Sequence, residues 1–261
     1  MFNLKKIIAF ALAVSLLFLC GCGSTSAQPE TTAPAETEPV TEATTEATEP
    51  EPTEPEVQLH SGLREDGTFG AGTLFIGDSL TYGLVHAYLK ANDLIGDARY
   101  MAVVGASVLE FFQGGILSVD RYCIFSPEFA GLTYNQAVAS VGEEITAVYF
   151  MMGTNYSSGT KASTYIEIVD YLMEHCPNAT IYLQMVPYAL SSNVEYDTVN
   201  WVIMEAHSNY TMNGIKNVKL LDIKRAVGVN LTSDGVHLTY EGQEAWYQEL
   251  VRHAQENNIP E

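Results

Sequence analysis

Cationic residues are scarce in this chain. Its 261 residues hold 12 lysines and arginines against 32 aspartates and glutamates, for a formal net charge of −20. Nine glutamates and two lysines precede residue 59, which leaves −13 on residues 59–261. A segment that acidic lacks the basic stripe that neutralises phosphate backbones, so nucleic acid is excluded as a partner. Anionic polymers and anionic lipid surfaces repel it as well, and a neutral or modestly polar substrate suits it better. Cysteine is also rare. Cys123 and Cys176 are the only two beyond the N-terminal region, and two build neither a disulfide framework nor a zinc cluster. Two plain thiols and a single disulfide both remain open. No His–Cys–acid cluster has ligand spacing, so neither a metal nor an organic cofactor is expected. No apolar run reaches the ~20 residues of a membrane-spanning helix. With 47% hydrophobic residues, the chain supports one sizeable core rather than two large ones.

The N-terminus is set apart from that core. Lys5 and Lys6 precede an apolar stretch, Ile7 to Leu19, the basic start and apolar middle of a signal peptide over residues 1–21. Leu19-Cys20-Gly21-Cys22 resembles the bacterial lipobox. The small Gly21 before Cys22 makes Cys22, not Cys20, the cysteine that this resemblance implies is lipidated. Two acyl chains would anchor it stably at the extracellular face of the cytoplasmic membrane. From Gly23 to Val57 there is no aromatic residue, lysine or arginine. A Thr/Glu/Pro composition of this kind cannot bury enough apolar surface to offset its ordering entropy. Residues 22–58 are therefore expected to be a disordered tether with a reach between ~30 Å and ~110 Å. The folded domain is expected at 59–261.

Short apolar runs then alternate with helical patterns. Strands are predicted at Thr73–Gly77, Arg99–Val104, Ile145–Met152, Thr180–Val186 and Val218–Asp222, each rich in aliphatic or aromatic residues, as buried parallel strands are. Helices are predicted at Leu80–Ala91, Thr164–His175, Val194–Ser208 and Tyr240–Glu256, the last with Thr239 as N-cap. The long stretch Gln113–Val141 shows one helical pattern near Tyr134–Ser140. Repeated strand–helix alternation predicts a three-layer α/β/α sandwich with a mostly parallel, five-stranded sheet.

Ligands in such sheets sit beyond the carboxyl ends of the strands. Those ends read Gly77-Asp78-Ser79-Leu80, then Gly105-Ala106-Ser107, then Gly153-Thr154-Asn155-Tyr156, with Asp234-Gly235-Val236-His237 near the C-terminus. A hydroxyl at the start of a helix, a glycine amide, a carboxamide and an acid paired with an imidazole are the parts of a nucleophilic site. Four such stretches, in this order, resemble the signature blocks of the SGNH, or GDSL, hydrolases over residues 70–245. The third block departs from many relatives, which place an aspartate where this chain has Tyr156. Gly-x-Ser-x-Gly, the elbow of the α/β-hydrolases, is absent around Ser79.

The resemblance implies a serine esterase with Ser79 as nucleophile, His237 as base and Asp234 orienting the imidazole. It also implies an oxyanion hole of the Ser79 amide, the Gly105 amide and the Asn155 side chain. Asp222 is a rival acid, with capping as its expected role, and Asp78 is expected to stabilise its turn. Tyr82 and Tyr156 are candidate substrate contacts. The expected substrate is a small acyl ester, acetyl on a carbohydrate being favoured, held through an acyl-serine intermediate. Two alternatives share these residues or surfaces. One is an O-acyltransferase acting on a wall or capsule sugar; the other is a non-catalytic glycan-binding module using exposed Tyr82, Tyr156 and Tyr188.

Overall fold

In chain order the strands are β1 (Thr73–Gly77), β2 (Arg99–Val103), β3 (Cys123–Phe125), β4 (Ala147–Met151), β5 (Thr180–Gln184) and β6 (Val218–Leu221). The helices are α1 (Ser79–Gly83), α2 (Glu110–Gln113), α3 (Tyr134–Val141), α4 (Ala162–His175), α5 (Val194–Met212), α6 (Ile223–Val227) and α7 (Tyr240–Glu256). This computed structural model describes residues 57–114, 117, 122–157, 159–187, 194–228, 234–257, 259 and 260. All of them fall within one unit, Glu54–Glu261. The expected signal peptide, Cys22, nearly all of the expected tether and Tyr188 lie outside the described residues.

Strands β1, β4 and β5 are buried at every position. They occupy the middle of the sheet, whose order is β3-β2-β1-β4-β5-β6, and so they read as unbroken apolar runs. All neighbouring pairs are parallel except β2 and β3. The sheet therefore has six strands, not the five expected. β3 is only three residues long, too short to leave a periodic signal in the Gln113–Val141 stretch. Helices α2, α3, α4 and α5 pack in succession, and α7 packs on α6 and on the helix that follows α1, giving two helical layers.

That last helix differs from expectation. The predicted single α-helix from Leu80 becomes α1 followed by a π-helix over Leu84–Leu89. The wider turn lets Leu84, Val85, Tyr88 and Leu89 all face the core. The other ends follow local chemistry. Thr239 caps α7 by accepting from Gly242 N at 3.2 Å, and Thr133 with Gln136 forms a capping box at α3. Asp222 caps α6, accepting from Arg225 N at 3.1 Å.

Register builds the core. Phe75, Tyr149 and Tyr182 are paired across β1, β4 and β5, so their rings stack in a row with centroids 5.1 and 4.8 Å apart. The two phenols are satisfied by the segment ahead of β1: Tyr149 donates to Ser61 O and Tyr182 to His60 O, each at 2.7 Å. No disulfide joins Cys123 and Cys176, and burial pushes the Cys176 thiol up to about 12.

Candidate active site

From β1 the chain passes outward to β2, then returns to β4 on the other side of β1. The carboxyl ends of β1 and β4 thus flank a point where the winding reverses, the place where open α/β sheets receive ligands. Ser79 begins α1 directly beyond β1 and is 7% exposed. Asn155 follows β4 by four residues, and Gly105 follows β2 by two.

Asp78 joins the first and third of these ends. It is fully buried. Its Oδ1 accepts from Leu80 N at 3.1 Å, and its Oδ2 accepts from Gly153 N and Thr154 N, each at 3.1 Å, and from Thr154 Oγ1 at 2.5 Å. Burial pushes its carboxyl above the usual carboxylate range, and the four donors pull it back. The carboxylate takes the Leu80 amide and not that of Ser79, which points the helix start at the site without consuming the residue-79 N–H. Asp78 was expected to stabilise its own turn; it does so and also clasps the β4 loop.

Close packing fixes the rest of this corner. A Cβ on Gly77 would run into Thr81 Oγ1 and come 2.5 Å from Met151 O, so only glycine lets β1, α1 and β4 meet here. Tyr134 of α3 donates to Gly77 O at 2.9 Å, and buried Tyr165 of α4 donates to Met152 O at 2.7 Å. Each strand end is thereby held by a phenol from the helical layer.

Gly105 has φ +80, and a Cβ there would meet nothing within 4 Å. Its glycine is required by backbone conformation and not by protein packing. The flanking amides are occupied: Val104 N donates to Tyr122 O at 2.8 Å and Ala106 N to Val103 O at 3.2 Å. Asn155 Nδ2 donates to Ala106 O at 2.9 Å. This bond ties the carboxamide to the Gly105 loop, and the same NH₂ group also donates, at 3.4 Å, to Thr154 Oγ1.

The C-terminal stretch is organised by Asp234. Its Oδ1 accepts from Val236 N and His237 N, each at 3.0 Å, and its Oδ2 lies 2.6 Å from His237 Nδ1. One carboxylate both shapes the turn and holds the ring, both side chains being about half exposed. With Nδ1 as the donor, Nε2 is left with its lone pair. Asp222 is spent on the α6 cap, as expected. Among the described residues, no hydrogen bond joins Ser79 to the His237 ring; such bonds commonly tighten only when substrate arrives.

Gln243, a residue that sequence reasoning missed, packs between the two halves. It is 7% exposed. Its Nε2 donates to Leu238 O, next to His237, at 3.5 Å, and a Cβ on Gly83 of α1 would stand 3.0 Å from the same nitrogen. A glutamine in the first turn of a helix carries no motif, so nothing in the sequence marks it. Tyr82 is half-buried and faces His86, with ring centroids 5.3 Å apart. Tyr156 is half-buried against the core.

No protein-family model and no curated protein matches the chain. Solved structures do resemble it. One is a family two carbohydrate esterase from Clostridium thermocellum in complex with cellohexaose. It is 17% identical over 71% of this chain and 64% of that one, with a TM-score of 0.50. A family 3 carbohydrate esterase from Talaromyces cellulolyticus is 18% identical over 71% and 96% of the two chains, with a TM-score of 0.43. The C-terminal catalytic domain of Streptococcus pneumoniae peptidoglycan O-acetyltransferase A is 14% identical over 72% and 94%, with a TM-score of 0.44. At these identities the likeness is one of fold, and what the chain shares with the first of them is the three-layer α/β/α architecture that its strand–helix alternation predicts.

Proposed function

We propose that this chain is a serine esterase that removes small acyl groups, acetyl above all, from carbohydrates. The observation that carries the proposal is the Asp234–His237 pair, whose carboxylate holds the ring through Nδ1 at 2.6 Å. Ser79 Oγ attacks the ester carbonyl carbon as its proton passes to His237 Nε2. The carbonyl oxygen becomes an oxyanion facing the Ser79 amide, the Gly105 amide and the Asn155 carboxamide, whose long 3.4 Å bond to Thr154 Oγ1 gives way to it. Collapse breaks the bond to the sugar oxygen, which leaves with the proton from His237. Water, deprotonated by the same imidazole, then releases the acid and restores Ser79.

The fold likeness to an esterase solved with cellohexaose supports a sugar as the alcohol. So does the −13 charge, which disfavours anionic substrates. We further propose that the domain is held outside the cytoplasmic membrane by lipid on Cys22 and the Thr/Glu/Pro tether. The reading is tested by treating wild type and Ser79→Ala with a fluorophosphonate probe, alongside turnover of p-nitrophenyl acetate and an acetylated oligosaccharide. Labelling and turnover both depend on Ser79 if it is correct. Labelling without hydrolysis would instead favour acyl transfer to a sugar. No labelling of folded wild type would leave a glycan-binding module.

Two weaker variants refine the assignment. Asn155→Ala lowers kcat by about 10²–10³-fold with little change in KM, because its carboxamide acts on the oxyanion rather than on the bound ester. Asp234→Asn lowers kcat/KM by roughly 10²–10⁴-fold, since the imidazole loses its tautomer and its turn. Asp222→Asn leaves it within about twofold, a capping change being felt in stability and not in turnover. Steady-state kinetics on the pair decides the acid: a silent Asp234→Asn beside a crippled Asp222→Asn would reverse the assignment.

A further inference from the structure

The edge strand β3 brings an aromatic side chain to the pole of the sheet where the candidate active site lies. β3 runs antiparallel to β2, so its first residues stand at the carboxyl end of β2. Gly77, Ala102 and Ile124 form one row across β1, β2 and β3. Ser79 comes two residues after Gly77. Tyr122 comes two residues before Ile124 on a strand of opposite direction, and so lies beyond the row on the same side. The ladder reaches this far, since Val104 N donates to Tyr122 O at 2.8 Å. Two strand spacings, about 10 Å, thus separate the strand ends that carry Ser79 and Tyr122. Gly105, directly after Val104 and exposed, belongs to the strand end between them.

Tyr122 is 83% exposed and Val104 beside it 39%. Single apolar side chains on a surface are ordinary, so exposure alone decides nothing; the place does. Among the described residues every other tyrosine is less than half exposed, and Tyr82 and Tyr156, the substrate contacts expected from sequence, are half-buried. Side chains alternate along a strand, which sets Tyr122 on the face of Ala102 and Tyr100. That face carries the helical run that begins at Ser79, because Lys90 at its end lies over the Tyr100 ring, 5.1 Å from the centroid. An open aromatic ring therefore flanks the Gly105 loop on the nucleophile's side of the sheet.

We propose that Tyr122, with Val104 at its side, is the platform on which the sugar ring of the ester stacks while the acyl carbonyl lies between Ser79 and Gly105. The inference rests on the esterase reading and names the residue that selects its alcohol. A pyranose ring presents a face of C–H groups with partial positive charge, which the negative face of an aromatic ring attracts, and stacking removes both apolar faces from water. The ring is uncharged, as a contact for a neutral sugar on a domain of net charge −13 has to be. An alkyl ester has no such face and gains nothing from the platform.

Acetate release from acetylated cellobiose and from ethyl acetate, measured on the full-length chain, tests the proposal. Tyr122→Ala raises KM for the sugar ester about 10-fold with kcat within about twofold, and leaves ethyl acetate turnover unchanged. Tyr122→Phe and Tyr122→Trp keep the wild-type KM, because the ring face and not the hydroxyl makes the contact. Equal KM in wild type and Tyr122→Ala, equal losses on both esters, or a Tyr122→Phe as poor as Tyr122→Ala would each overturn the platform. Calorimetric titration of Ser79→Ala with acetylated cellobiose reads the same contact without turnover: adding Tyr122→Ala weakens Kd about 10-fold if the platform is real and leaves it unchanged if not. Wild type that releases acetate from neither ester would sink the esterase reading, and the titration would still decide the platform.

Discussion

Ser79→Ala loses ester turnover by about 10⁴-fold or more while keeping its fold. The expectation of an intact fold rests on what holds this corner. The N-cap of α1 is Asp78, not Ser79. The close approach of β1, α1 and β4 depends on Gly77 and Thr81, and the Gly77 carbonyl is held by Tyr134. Removing one oxygen from residue 79 touches none of these contacts, so urea denaturation should give a midpoint close to wild type. A midpoint shifted as far as the activity would mean that the hydroxyl is structural, and the nucleophile would have to be sought elsewhere. Residual turnover within about tenfold of wild type would remove Ser79 from the chemistry altogether.

Asp78→Asn has the largest expected effect on stability, and it reaches activity through geometry. The carboxylate accepts four hydrogen bonds from a position with no solvent exposure. An amide keeps one accepting oxygen and turns an NH₂ group toward amides that also donate. At least one of Leu80 N, Gly153 N and Thr154 N is then buried without an acceptor. Such a change costs roughly 3–5 kcal/mol, to be read from the urea midpoint. The surviving folded protein loses kcat more than KM, because the clasp sets the distance between the Ser79 amide and Asn155. Thr154→Val, which deletes the 2.5 Å hydroxyl contact to Asp78 and the 3.4 Å bond from Asn155, keeps the three amide bonds and should cost about 1–2 kcal/mol. If Asp78→Asn were as stable as wild type yet inactive, Asp78 would belong to the chemistry rather than to its scaffold.

Most of the fold is legible in the residues because burial on both faces writes a simple signal. Thr73–Gly77 and Tyr240–Glu256 form with the expected bounds, and the other parallel strands differ by a residue or two at their ends. β3 was missed because a three-residue antiparallel edge strand is defined by its partner β2 and not by its own pattern. The π-helix after α1 was missed because Leu84, Val85, Tyr88 and Leu89 satisfy an α-helical spacing nearly as well as a π-helical one.

The candidate site divides in the same way. Sequence alone determined which chemical groups stand at which strand ends: order along the chain and strand periodicity are local properties, and the four blocks carry their residues with them. It also sufficed for Asp234 and His237, whose 2.6 Å contact spans three residues of one turn. Only the tertiary structure decided that Asp78 clasps the β4 loop, that Asn155 is tied to Ala106, and that Gln243 bridges Gly83 and Leu238. Asp78 with the β4 loop, Asn155 with Ala106 and Gln243 beside Gly83 are each brought together from positions distant in sequence. The physical reason is that a buried polar atom must find its partner wherever the fold places one, and no one-dimensional pattern encodes that distance.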